Sequence, residues 1–274
     1  MRIGVIGAGL QGGTLAKKLA KAGHEVRVAN RRGPESLKEF AKQTATIASA
    51  LEDAATKSEL IMIAIPFKNI PSLPKPLFKD QPDSTTIVDV SNYYPSWRDG
   101  QIPEVEAGLS ESEWVEKQIG RPVVKAFNSI TFDSLENLGK PVGSSDRRAL
   151  SLAGDRVQDK KKVAKLIDDL GFDALDIGPL SESWRQQPGT PAYCTDLDLE
   201  RLSAAVKAAD RRAAPEKREE SSRAMVDLGP NATPLEKVKA YRNASLLHRP
   251  GSGEALGSHE SGGSASGSRK ARRE

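Results

Sequence analysis

Short apolar runs alternate with amphipathic stretches over residues 1–181. Arg2–Ile6 and Glu25–Ala29 are such runs, as are residues 60–65, 86–90, 122–127, 150–153 and 174–177, with a weaker one at 46–47. Several are near-continuous Ile, Val and Ala, the composition of strands covered on both faces. Strands separated by helical patterns predict βαβ units and a largely parallel sheet. The helix ends are legible too. Gly23 closes a helix begun after Gly9, and Ser110 with Glu113 makes a capping box whose helix stops at Gly120. Residues 160–170 are basic outside, carry Val163, Leu166, Ile167 and Leu170 on one face, and end at Gly171.

The pattern changes after residue 181. Residues 196–247 show no strand signal and read as two or three charged helices. Thr233-Pro234-Leu235-Glu236 starts the last one with a capping threonine, a proline at the first helical position and a glutamate that completes the box. From His248 the chain is mostly glycine, serine and charge, with Leu256 as its only large aliphatic residue, too little apolar surface to fold. Three segments are therefore expected: an α/β domain at 1–181, a helical extension at 182–247 and a disordered basic tail at 248–274.

Composition narrows the function classes. A chain of 274 residues can bury a sizeable core. No apolar run approaches the ~20 residues that span a bilayer, and strand sequence beginning at Arg2 argues against a secretory leader. The expectation is a cytoplasmic protein without a membrane partner. The single cysteine, Cys194, excludes a disulfide framework and a cysteine-rich metal site. The formal charge is +4, but the last 27 residues hold +2 of it. The remaining body is too nearly neutral to define a phosphate-tracking face, so no nucleic acid is expected.

The chemistry is concentrated at the front of the chain. Gly7-Ala8-Gly9-Leu10-Gln11-Gly12 follows the first strand pattern and opens the first helix. Alone such a G-x-G-x-x-G is weak evidence; between a strand and a helix it is strong. Gly7 permits the tight turn, Gly9 a close approach to a pyrophosphate, and Gly12 the packing of helix on strand. The helix N-terminus offers N–H groups and partial positive charge to phosphates. At the end of the second strand an NAD site would place Asp or Glu on the ribose 2′-hydroxyl. Here the residues are Asn30, Arg31, Arg32, Gly33 and Pro34. Guanidinium groups suit a 2′-phosphate that a carboxylate would repel, so the expected cofactor is NADP(H). The fold expected is an α/β Rossmann-type, doubly wound, mostly parallel sheet with a small helical C-terminal extension.

Five motifs in order carry a family resemblance: residues 7–13; Ala29-Asn30-Arg31-Arg32-Gly33-Pro34-Glu35; Val124-Lys125-Ala126-Phe127-Asn128; Ala153-Gly154-Asp155; and Asp176-Ile177-Gly178-Pro179-Leu180. Over residues 1–196 the chain resembles the NADP-dependent reductases that act on the deazaflavin coenzyme F-420, and the related domain of membrane ferric reductases. The resemblance implies NADPH passing a hydride to a flavin-like ring, with coenzyme F-420 or a flavin as acceptor. The stretch from Trp184 to Tyr193 and the helices after it resemble a subgroup of the family whose acceptor is unassigned, so the resemblance supports NADP and hydride transfer more than any one acceptor.

Such transfer needs little acid–base help, because the cofactors carry the chemistry and the fold stacks the rings. No catalytic residue is assigned. The tyrosines lack the Lys four residues on that a short-chain dehydrogenase needs: Trp97, Arg98, Leu197 and Ser245 stand there instead. No zinc ligand set is present, and no metal is expected. Ligands of open sheets lie beyond the carboxyl ends of the strands. Ile65 and Pro66 are therefore expected beside the cofactor's ribose or nicotinamide, together with Ala126 and Asn128. Asn92 and Asn128 suit the carboxamide or the acceptor ring, and Phe127 and Leu180 suit apolar ring surface. Phe127 reads equally as core packing, Asn92 as a turn residue, and Trp184 as a packing anchor. Cys194 is read as inert. The partner expected is a small-molecule redox cofactor, with a homodimer left open. A non-catalytic NADP-sensing or scaffold protein is the alternative reading. An imine or 3-hydroxyacid reductase would need a longer helical domain than the ~50 residues after Asp196. Truncation after Leu247 is expected to leave the thermal midpoint and NADPH affinity unchanged; a drop of several degrees would show that the tail packs.

Overall fold

The computed structural model describes residues 1–247; the tail expected from His248 lies outside them. The first half runs β1 (Arg2–Ile6), α1 (Leu10–Lys21), β2 (Glu25–Ala29), α2 (Lys38–Thr44), β3 (Ile47–Ala48), α3 (Leu51–Thr56), β4 (Leu60–Ile63), α4 (Pro76–Lys79) and β5 (Thr86–Asp89). Then come α5 (Pro103–Glu106), α6 (Glu111–Ile119), β6 (Val124–Ala126), α7 (Phe132–Asn137), β7 (Ala149–Ala153), α8 (Val157–Asp169) and β8 (Asp173–Asp176). Three helices finish the described chain: α9 (Leu199–Lys207), α10 (Ala214–Val226) and α11 (Pro234–Leu247).

The strands form one sheet in the order β3-β2-β1-β4-β5-β6-β7-β8. Every pairing is parallel except β6 with β7, where Lys125 faces Ala153. The chain leaves β1 toward one edge and returns at β4 toward the other, so the switch point of the Rossmann arrangement lies between them. Ile3, Val5, Val28, Met62 and Val88 belong to one core, while Ile6, Ile61, Ile63 and Ile87 face a second. That two-sided burial is why these strands read as unbroken apolar runs.

Local chemistry fixes the helix ends as read. The Ser110 side chain accepts from Glu113 N–H while Glu113 reaches back to Ser110 N–H, and Gly120 ends α6 in the left-handed region. Thr233 and Glu236 cap α11 reciprocally. Among the described residues no helix is long and apolar enough to cross a membrane.

The first turn is held by steric fit. Gly7 has φ +112°, and a Cβ on Gly12 would lie 2.0 Å from the Gly7 carbonyl oxygen. A Cβ on Gly9 would meet nothing within 4 Å. Gly12→Ala is accordingly expected to destabilise by about 3 kcal/mol, the upper end for overpacking against backbone. Gly9→Ala should cost less than about 1 kcal/mol, a helix-cap effect only. Chemical denaturation of the two variants checks the contrast, and equal midpoints would contradict this packing.

Candidate functional site

A cleft of about 330 Å³ opens over the carboxyl ends of β1, β4, β5 and β6. Gly9, Leu10 and Gln11 start it; Ala64, Ile65 and Pro66 extend it from β4, and Ser91 and Asn92 from β5. Asn128 and Ile130 follow β6. The far wall is Tyr94, Trp97, Arg98, Tyr193, Cys194 and, from α10 and α11, Met225, Val238 and Tyr241.

The α1 end suits an anion. No side chain caps its N-terminus, and its first turn contains no acid. At the β2 end, the Asn30 side-chain oxygen accepts from Arg32 N–H at 2.8 Å, and its amide donates to Ser36 Oγ at 3.0 Å. Ser36 in turn donates to the Gly33 carbonyl. Pro34 begins the short 3₁₀ turn Pro34–Leu37. Arg31 and Arg32 are exposed. The neighbouring acids are engaged elsewhere, Glu25 with Arg27 and Glu35 with Lys38. Sequence reasoning missed Ser36; its place six residues after Asn30, in a Gly-Pro turn, was the available signal.

Asn92 and Asn128 meet in the cleft. Asn92 Nδ2 donates to the Asn128 carbonyl, and Asn128 Nδ2 donates to Asn92 Oδ1 and to the Gln186 carbonyl. Asn128 is 2% exposed, yet its Oδ1 accepts no hydrogen bond from the described residues. An acceptor buried without a donor costs about 1–3 kcal/mol, which a ligand N–H would recover.

Ala126, Phe127 and Leu180 are not brought to the cleft. Phe127 adopts φ +60°, and both it and Ala126 are buried in the first core, at the end of β6 inside the sheet. That left-handed turn sends the ring inward and the next residue, Asn128, toward the cleft. The Phe127 carbonyl instead accepts from Gln11 Nε2 at 2.8 Å. Leu180 is packed in the second core, its N–H donating to Asp155. The cleft's apolar surface comes from Ile130, Phe132, Met225 and the tyrosines in their place. Trp184 is buried, with Arg185 and Arg211 over its ring. Burial pushes the Cys194 thiol up to about 12, which keeps it protonated.

Under the cleft floor lies an ion cluster that the sequence did not reveal. Lys125 is fully buried; its ammonium lies 3.0 Å from Asp89 and 3.5 Å from Glu111, and also donates to the Ser91 carbonyl. Asp89 further accepts from Ser91 N–H, Ser91 Oγ and Ser112 Oγ. Ser91 is thereby fixed from below, and Asn92 with it.

An α/β fold with a glycine turn, an uncapped helix N-terminus and a cleft at the switch point defines a dinucleotide-binding fold. Residues 2–93 match the model of the family described as NADP oxidoreductase coenzyme F420-dependent, the family that the motifs resemble. The Escherichia coli protein YjhV is 45% identical over 58 residues, covering 21% of this chain and 42% of that protein. Metalloreductase STEAP3 of Rattus norvegicus is 27% identical over 190 residues, 66% of this chain and 35% of that one. The chain thus spans well under half the length of these curated relatives. A solved hypothetical protein from Sinorhizobium meliloti superposes with TM-score 0.60 at 29% identity, covering 72% of this chain and 94% of that one. An Arthrobacter structure, a candidate F420-dependent NADP reductase, shares the fold with TM-score 0.55 at 22% identity over 67% of this chain and 87% of its own.

Glu111 titrates where it can be tested. One ammonium faces two buried carboxylates, and Asp89 has the closer contact and three further donors. Burial, only partly opposed by Lys125, raises Glu111 from 4.5 to about 7. The unfolded chain loses this proton near 4.5 while the folded chain keeps it, so stability falls as pH rises from 4.5 to about 7. Glu111→Gln, permanently neutral, should flatten that decline. Thermal unfolding of both proteins across this window checks it; an unchanged slope would mean that Glu111 is already ionised.

Proposed function

We propose that this protein is an NADPH-dependent reductase that passes a hydride to a deazaflavin or flavin-type acceptor held in the cleft. The observation that carries the reading is the cleft itself, which runs from the α1 N-terminus to an aromatic wall supplied by α10 and α11. The residues present fit the cofactor. The space above Gly9, where a Cβ would touch nothing, leaves room for a pyrophosphate on the α1 N–H groups. Arg31 and Arg32 hold the 2′-phosphate, with Asn30 and the Gly33 carbonyl fixed by Ser36 and Pro34 starting the turn between them. Ile65 and Pro66 flank the ribose and nicotinamide, and the unpartnered Asn128 Oδ1 accepts from the carboxamide. When bound, NADPH supplies the hydride. The protein's part is to orient the carboxamide through Asn92 and Asn128 and to exclude water with Ile130, Phe132 and Met225.

Arg31→Ala with Arg32→Ala is expected to weaken NADPH binding roughly tenfold to a few hundredfold, solvent screening limiting the loss. NADH binding should change little, because it lacks the phosphate. Adding Asn30→Asp should offer the 2′-hydroxyl an acceptor and repel the phosphate. Titration of both cofactors by fluorescence quenching reads this out. If the double variant keeps its preference for NADPH, the phosphate is held elsewhere. Following absorbance at about 340 nm with deazaflavin, flavin and ferric acceptors tests the transfer itself.

A further inference from the structure

We infer that Tyr94, hydrogen-bonded to Tyr193, binds the heteroatom of the acceptor's polarised C=N or C=O bond and gives it the proton that accompanies the hydride. The inference rests on the NADPH-dependent transfer proposed above and names the chemical class of the acceptor.

Both tyrosines line the cleft, and their hydroxyl oxygens are 2.5 Å apart. Two phenols hold two protons, and their mutual bond uses one. When Tyr193 donates to Tyr94, the Tyr94 proton is left to donate to a ligand. Burial raises both phenols well above their usual range, so they remain protonated at neutral pH. The Arg98 guanidinium lies 5.3 Å from the centre of the Tyr94 ring and is fixed by Asp99 at 2.9 Å. It stabilises the phenolate that forms when Tyr94 gives up its proton. Tyr193 then passes its own proton to Tyr94, and once the products have left, water reaching the emptied cleft restores the proton on Tyr193.

The balance is complete. Hydride from NADPH forms a C–H bond at the electron-poor carbon, the π electrons move to nitrogen or oxygen, and the Tyr94 O–H breaks to form N–H or O–H there. NADPH is oxidised to NADP⁺ and the acceptor is reduced by two electrons. The charge of the wall selects for the same class. Arg98 is the only charged side chain that lines the cleft among the described residues, and no carboxylate does. A neutral or anionic conjugated acceptor fits that lining, whereas a bare metal cation does not.

The test uses the full chain, NADPH and three probes: oxidised deazaflavin, flavin mononucleotide and benzaldehyde. Wild type should reduce at least one, with a solvent deuterium effect on the single-turnover step. Tyr94→Phe should slow that step about 100-fold or more with NADPH affinity unchanged within about twofold, and Tyr193→Phe should slow it about tenfold. A second readout needs no turnover. In the presence of NADP⁺, which has no hydride to give, Tyr94→Phe should bind the oxidised probe about three- to tenfold more weakly. Wild-type rates and probe affinity in both variants would overturn the tyrosine assignment and leave the NADPH reading standing. A wild type that binds NADPH and reduces none of the three probes would overturn both. The Tyr193 variant and the binding readout serve where Tyr94→Phe fails to fold.

Discussion

The fully buried ammonium of Lys125 is the point on which the site is built. It joins β6 to the end of β5 through Asp89, to α6 through Glu111 and to the cleft floor through the Ser91 carbonyl. The Lys125 carbonyl also accepts from Gln186 Nε2, which ties in the segment leading to the C-terminal helices. Such a cluster adds little net stability over a well-packed apolar core, but removing one member strands a buried charge at a cost of ~3–5 kcal/mol. Its effect is on geometry. With Ser91 held at both its N–H and its carbonyl, Asn92 has a fixed origin from which to reach Asn128.

The cleft above that cluster has two halves of different character. The half made by the turns after β1 and β4 is backbone with aliphatic and amide side chains, Leu10, Gln11, Ile65 and Pro66, and is shaped by close contacts such as Gly12 against Gly7. The other half is aromatic and depends on chain that is far away in sequence. Arg242 on α11 donates to the Cys194 carbonyl and pairs with Asp196, which also accepts from Ser134. These bonds seat α11 against the loop at 193–196, so that Tyr241 meets Tyr193 at 5.6 Å and Tyr94 at 6.0 Å between ring centroids.

This division explains what could be read from the sequence. The half at the first glycine turn depends on residues that are neighbours in the chain, and turn, helix start and Arg pair are local patterns. The strand runs were legible for the same reason: Arg2–Ile6 and Glu25–Ala29 coincide with β1 and β2, and most others differ only at their ends. The pairing of Lys125 with Asp89 joins residues 36 apart, and that of Tyr94 with Tyr193 joins residues 99 apart. No periodicity encodes either. Within Val124-Lys125-Ala126-Phe127-Asn128, strand alternation gave no reason to prefer Asn128 over Phe127. The left-handed φ of Phe127 decides it, and a bulky side chain in that region is not foreseeable from propensity.

Left-handed backbone marks where this half is assembled, at Phe127, Cys194 and Asp196. Phe127 and Cys194 both have left-handed φ, and Cys194 N–H donates to the Ser129 carbonyl, two residues beyond Phe127. Such conformations cost on the order of 1–3 kcal/mol each and persist only where their surroundings impose them. Here the surroundings are the core that takes the Phe127 ring, Gln11 on the Phe127 carbonyl and Arg242 on the Cys194 carbonyl. The strain turns Asn128 toward the cleft on one side and places Tyr193 against Tyr94 on the other. Relaxing either residue would move Asn128 Oδ1 away from the Tyr94–Tyr193 pair, so the two strained turns together hold the amide and the phenols on one cleft.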